Sequence, residues 1–277
     1  MRIPPLALCL LSLAAPGCAC ATAEVCLREA QQAVAEPPIR SASANAHALR
    51  IVALYERACE LGSPEGCRSA LGFWSGRLRT RASGPLQYYV EVSGAATESW
   101  GVELSREVAE QRVTSLLARL ITLEVASARE THTRAAWVAV AAEFPNTDAS
   151  AFAQGAEDDL IVAELGPSAK AADLVRELPA ARPKVVKHIE QRAAGLSLES
   201  LSPSEATALA RALRAKLAES KAAERLLEHA DDASFAQAKA LCTTRSPSAN
   251  AKEGLPALRA YLATYPSGRH ASEAVTL

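Results

Sequence analysis

Apolar side chains recur three and four positions apart along most of this chain, and proline and glycine interrupt the recurrence at intervals. Leu49, Val52, Tyr55 and the Ala58-Cys59 pair share one helical face and predict a helix over 46–61. Gly62-Ser63-Pro64 breaks it: glycine suits the position just past a helix end, serine the N-cap, and proline the first helical residue. Glu65 to Trp74 reads as a second helix that stops at Gly76, so residues 46–77 form a helix hairpin. Upstream, Glu24 to Ala35 reads as a short helix, cut by Pro37-Pro38 and followed by the polar run Ser41 to Asn45, so 22–45 is a linker with a short helix.

Residues 78–97 read as a connector, in which Gln87 to Val92 alternates weakly and suggests a short strand. From Trp100 the helical period returns. Val113, Leu116, Leu117, Leu120 and Glu124 lie along a helix expected to end at Ser127. Thr131 to Phe144 and Asp148 to Leu165 follow, separated by Pro145-Asn146-Thr147, then Ala169 to Leu178 and Pro183 to Ala194. Ser202-Pro203-Ser204-Glu205 joins an N-cap, a proline at the first helical position and a glutamate three residues on, which is a capping box. Its helix is expected to reach Ala230, with a break near Ser220. The expected fold is all-α, built of antiparallel helix hairpins in a solenoid-like stack, with 98–277 as one helical region.

Composition strengthens this picture. Of 277 residues 49% are hydrophobic, but much of that is alanine; four Phe, three Trp and one Met leave few large core side chains. Alanine combines high helix propensity with close helix approach, whereas a sheet core wants more β-branched and aromatic residues. The net charge of −1 leaves no basic excess to hold a nucleic-acid backbone. The excess of arginine over lysine, beside so much alanine, suggests a GC-rich bacterial genome.

The N-terminus (residues 1–21) has the parts of an export signal: Arg2, then the apolar run Leu6 to Ala15, too short to span a bilayer, then small residues. Two cuts are compatible with it. Ala15-Pro16-Gly17-Cys18 resembles a lipobox, cut before Cys18, whose thiol would carry a lipid. Ala19-Cys20-Ala21 reads as an A-x-A site cut after Ala21. The second leaves Cys26, Cys59, Cys67 and Cys242, and the first retains Cys20 as well. The expected location is the periplasm or, through the lipid, the outer membrane, otherwise secretion.

One pairing is favoured by geometry. Cys59 lies four residues before Ser63 and Cys67 four after it, so an antiparallel hairpin puts them at one level. Helices roughly 8–10 Å apart bring facing Cα atoms into the disulfide range of roughly 4.4–6.8 Å. Such a bridge would contribute roughly 2–3 kcal/mol in an oxidising compartment. Cys242 either pairs with Cys26 or is a small buried residue near a helix end.

The run Ala53-Leu54-Tyr55-Glu56-Arg57-Ala58-Cys59-Glu60-Leu61-Gly62, with Gly66-Cys67 and Leu71-Gly72-Phe73-Trp74-Ser75-Gly76, resembles one Sel1-like repeat of the cysteine-bearing, secreted kind. That family is an α/α solenoid related to tetratricopeptide repeats, and the resemblance implies binding of other proteins. No second clean copy follows, and a single repeat cannot bury its own apolar face. A weaker internal likeness aligns 136–153 with 257–274, with identities at Ala136/Ala257, Ala139/Ala260, Ala142/Ala263, Pro145/Pro266 and Ala153/Ala274. An aromatic residue, Phe144 or Tyr265, precedes each proline. The pattern resembles the corner of tetratricopeptide-like repeats, with Asn146 or Ser267 expected to cap the following helix.

Candidate chemistry is sparse. The histidines are His47, His132, His188, His229 and His270; no two stand four apart and no HExxH is present. His132 and His188 read as solvated surface, Glu228-His229-Ala230-Asp231-Asp232 as a charged helix end, and Glu157-Asp158-Asp159 as a solvated acidic face. Trp74, Trp100 and Trp137 sit at apolar helical positions and are expected in the core. No nucleophile elbow, phosphate loop or dinucleotide fingerprint occurs. The expectation is a non-catalytic protein-binding repeat protein of the cell envelope with no cofactor, metal or nucleic acid. The resemblance also implies, as an alternative, a secreted β-lactam-binding or hydrolysing protein, although no Ser-x-x-Lys motif is present. A third reading is a structural envelope lipoprotein.

Overall fold

Helices end where proline, glycine and the small polar residues interrupt the apolar period. The structure, a computed structural model, describes residues 20–35, 41–75, 106–243 and 253–277. Cys18 and most of the export segment, Pro37-Pro38, the expected strand at Gln87 to Val92, and Trp100 lie outside the described residues. Among the described residues there are twelve α-helices and no strand. The chain divides into two compact units, Met1–Glu157 and Asp158–Leu277.

In the first unit, α1 (Ala23–Ala35), α2 (Ser41–Glu60), α3 (Pro64–Ser75), α4 (Arg106–Thr131) and α5 (Arg134–Glu143) pack each on the next. The polar run at Ser41 is the opening of α2 rather than a linker. Extending an established helix costs little, so the buried C-terminal part carries the polar turns with it. Because α2 has α1 on one side and α3 on another, it buries Ala48, Ile51, Val52, Leu54, Ala58 and Cys59. Leu49, assigned to the buried face by its spacing, is 39% exposed.

The α2–α3 turn follows its sequence signals closely. Ser63 N–H donates to Ala58 O (2.9 Å) and Gly62 N–H to Cys59 O (3.0 Å), the paired bonds of a Schellman end, with Gly62 at φ 95°. Ser63 Oγ then accepts from Gly66 N–H at 3.1 Å and caps α3. A Cβ on Gly66 would stand 2.7 Å from Ala58 Cβ and 2.8 Å from Cys59 N, so only glycine lets α3 lie this close to α2. The approach brings the Cys59 and Cys67 Cα atoms to 4.6 Å, and the two sulfurs are bonded.

Beyond the hairpin, α4 runs to Thr131, past the expected Ser127, and buries Val113, Leu116, Leu117 and Leu120. Thr133 caps α5, which therefore starts at Arg134 and not at Thr131. α6 (Asp148–Glu164) follows the Phe144-Pro145 stop.

The second unit holds α7 (Ala171–Glu177), α8 (Pro183–Ala194), α9 (Pro203–Lys216), α10 (Lys221–Thr243), α11 (Leu255–Thr264) and α12 (Ala271–Thr276). Its main core joins Leu174, Val185, Ile189, Leu209, Leu213 and Leu226 with buried alanines, among them Ala193, Ala206, Ala210 and Ala223. Those alanines let the helix axes approach, which is how a chain poor in aromatics fills its interior. Ser202 caps α9 through Glu205 N–H, and Glu205 returns a bond to Ser202 N–H at 3.0 Å. The expected break near Ser220 separates α9 from α10: Leu217 leaves helical geometry and Ser220 Oγ accepts from Ala223 N–H. α10 then continues past Ala230 to Thr243, because Phe235 and Ala238 bury against Leu258, Tyr261 and Ala274.

Candidate binding groove and the placement of polar residues

The capping box at Ser202 opens α9 beside α10 and α11, and an open groove of about 770 Å³ lies between the three helices. The α9 wall carries Ser202, Ser204, Thr207 and Arg211; α10 contributes Gln237 and Leu241; α11 contributes Tyr261, Thr264 and Tyr265. Thr207, Ala238 and Tyr261 are buried in its floor. Thr207 Oγ1 and the Tyr265 hydroxyl are 2.9 Å apart and share a hydrogen bond across the groove. Arg211, Ser204 and Gln237 are exposed at the rim. The lining thus joins hydroxyls and the Gln237 amide with the apolar side chains of Ala208, Leu241, Ala257 and Ala260 over an aromatic floor, with Arg211 as the cation in the wall. The hydroxyls and the amide can donate to and accept from a peptide.

The floor is held by a buried carboxylate. Asp231, 5% exposed, accepts from the Tyr261 hydroxyl at 2.5 Å and from Arg269 N–H at 2.7 Å. Burial, and then the hydrogen bond to Asp231, push the Tyr261 phenol well above its ordinary range, so it stays a donor. A Cβ on Gly268 would meet Asp231 Oδ1 at 2.7 Å and the Tyr261 hydroxyl at 2.8 Å. Beside this, His270 stacks on Phe235 at 4.5 Å between centroids and reaches Asp232 Oδ1 at 2.9 Å.

A smaller recess of about 370 Å³ lies in the first unit beside the Cys59–Cys67 bridge, lined by Glu56, Glu60, Arg112, Ser115 and Arg119. Glu56 accepts from Trp74 Nε1 at 2.8 Å and faces Arg112 at 3.5 Å. Burial raises its carboxyl above the ordinary value, against the lowering effect of Arg112 and Trp74. Arg68 of α3 reaches Glu124 of α4 (2.6 Å) and Glu143 of α5 (2.8 Å), tying three helices; its bond to Glu143 raises the guanidinium further above its already high range.

Several expectations are corrected. Cys26 pairs with Cys20, Cα–Cα 5.3 Å, and not with Cys242, which is a free, partly buried cysteine near the end of α10. His188 is not simply solvated: its Nε2 lies 3.0 Å from Leu165 O. His47 does the same with Ala33 O at 2.7 Å, and since a carbonyl only accepts, both Nε2 atoms carry the proton. His132 is exposed, at φ 48°. The run at 228–232 lies inside α10 rather than at a helix end, and it disperses: His229 faces Leu201 O, Asp231 turns inward and Asp232 meets His270. Asp158, expected on a solvated face, is 6% exposed and paired with Arg182 at 2.7 Å, whereas Asp159 is exposed and bonds Lys184. Neither Asn146 nor Ser267 caps the next helix. Asn146 takes φ 61°, Thr147 Oγ1 accepts from Ser150 N–H in its place, and α12 starts after His270.

Trp74 and Trp137 are buried, at 4% and 3% exposure. Among the described residues no three His, Cys, Asp or Glu side chains are placed to hold a metal ion, and no helix is long and apolar enough to cross a membrane. The Asp231–Tyr261 bond and the Arg68 clamp were not foreseen from sequence. Their partners lie 30 and up to 75 positions away, beyond any local spacing rule. The chain matches no known protein family, no curated protein and no solved structure.

Proposed function

We propose that this chain is a non-catalytic, helical protein of the cell envelope that binds a segment of another protein in the α9–α10–α11 groove. The observation that carries the reading is the groove's lining: hydroxyls, an amide and the side chains of Leu241 and several alanines over a tyrosine floor, edged by Arg211. A groove of that kind accepts a chain segment through apolar contact and side-chain hydrogen bonds, with Arg211 favouring an acidic side chain on it. The likeness of 53–76 to a Sel1-like repeat supports the same class of activity. The two disulfides fit an oxidising, exported location. A lipid on Cys18 would hold the protein at a membrane.

The test is site-specific photocrosslinking in the native host. A crosslinker at Gln237, in the groove, should capture a discrete protein partner that Arg211→Glu weakens. The same crosslinker at exposed Val275 should not capture it. Equal capture from both positions, or capture indifferent to Arg211→Glu, would remove the groove from consideration.

A further inference from the structure

The two cut sites legible in the export segment differ in one respect that the fold decides. A cut after Ala21 discards Cys20, and a cut before Cys18 keeps it. In the structure Cys20 is part of the folded first unit: it is 6% exposed and belongs to a core cluster with Cys26, Ala30, Leu54 and Ala58. It is also covalently joined to Cys26, itself fully buried in the first turns of α1.

Thr22 supplies a second, independent reason. Its hydroxyl accepts from Val25 N–H at 3.3 Å and its carbonyl from Cys26 N–H at 3.1 Å, so Thr22 is the N-cap of α1. A cut after Ala21 would turn the Thr22 nitrogen into an ammonium group at the positive end of the helix dipole, where a cation is unfavourable. It would also leave Cys26 as a buried thiol without its partner. Of the cysteines that such a cut would leave outside the Cys59–Cys67 bridge, the other, Cys242, belongs to the second compact unit.

We infer that the export segment is removed by hydrolysis of the Gly17–Cys18 bond, so that the mature chain begins at Cys18 and carries Cys20–Cys26 as a disulfide. Water adds across that peptide bond, leaving a carboxylate on Gly17 and an α-amino group on Cys18. The inference rests on the chain being exported. It holds whether or not Cys18 goes on to receive a lipid.

The experiment uses the full chain, expressed in its own host with a C-terminal tag. Free thiols are alkylated, and a non-reducing digest is read by mass spectrometry. The expected N-terminal peptide starts at Cys18, with or without an acyl mass, and contains the Cys20–Cys26 crosslink. In the variant Ala21→Leu, which removes the small residue an A-x-A cut needs, the same terminus is expected. A chain starting at Thr22 with Cys26 alkylated overturns the inference while leaving export intact. So does a terminus that shifts in Ala21→Leu. A chain retaining Met1, with Cys20, Cys26, Cys59 and Cys67 all alkylated, overturns both the inference and the export on which it rests.

Discussion

Phe144 and Tyr265 close their helices with nearly the same backbone, φ −120° and ψ 58° in one, φ −127° and ψ 65° in the other. Each is followed by proline, and each donates its N–H to the carbonyl four residues earlier, Val140 or Tyr261. The agreement extends into the helices: Trp137 and Val140 are buried in α5, Leu258 and Tyr261 at the aligned places in α11, and Ala153 and Ala274 beyond the corner. The alignment of 136–153 with 257–274 therefore marks a shared local geometry.

The second corner depends on Gly268. Gly268→Ala should destabilise the protein by about 1–3 kcal/mol, since the added methyl collides with a buried carboxylate and the hydroxyl bonded to it. Gly155 sits inside α6 with nothing within 4 Å of a Cβ. Gly155→Ala should stabilise by about 0.5–1 kcal/mol. Urea unfolding of both variants checks the pair, and the two midpoints should move in opposite directions.

Removing the hairpin bridge by Cys59→Ser with Cys67→Ser should cost about 2–3 kcal/mol. The helices should persist in far-ultraviolet circular dichroism, because the Schellman end and the Ser63 cap do not depend on the sulfur bond. Loss of helix content would mean that the bridge forms the hairpin rather than fastening it.

Arg68 is 44% exposed on its side chain, so its contacts with Glu124 and Glu143 are partly screened by water. Arg68→Met should lower stability by no more than about 1 kcal/mol, and the deficit should shrink as salt is raised. Chemical denaturation at two ionic strengths reads this directly.

Two glutamates should give opposite slopes of stability with pH. Glu56 is raised above 4.5 chiefly by burial, so its contribution is full below that value and declines as pH rises through the folded value. Glu205 is lowered from 4.5 by its bonds to Ser202, so its contribution is present above 4.5 and declines as pH falls through the folded value. Glu56→Gln should flatten the former decline and Glu205→Gln the latter. Urea midpoints between pH 3 and 7 distinguish them.

Local signals carried much of the fold. The Gly62-Ser63-Pro64 turn, the capping box at Ser202 and the helix at Pro183 to Ala194 stand where their residues placed them, because each rests on bonds closed within a few positions. The misreadings share another cause. Leu49 is exposed and Asp158 buried because a helix face is decided by what packs on it, and α2 is flanked on two sides. The groove was not legible at all. Thr207 and Tyr265 lie 58 positions apart, and nothing local announces that they meet.

Both disulfides join near neighbours, six and eight residues apart, and both lie within the first 67 residues. A chain threaded through a membrane from its N-terminus would present each pair to an oxidant together, before Cys242 emerged to compete. Crosslinking could thus be complete while most of the polypeptide was still in transit, and the second unit could fold around its lone thiol without any cystine of its own.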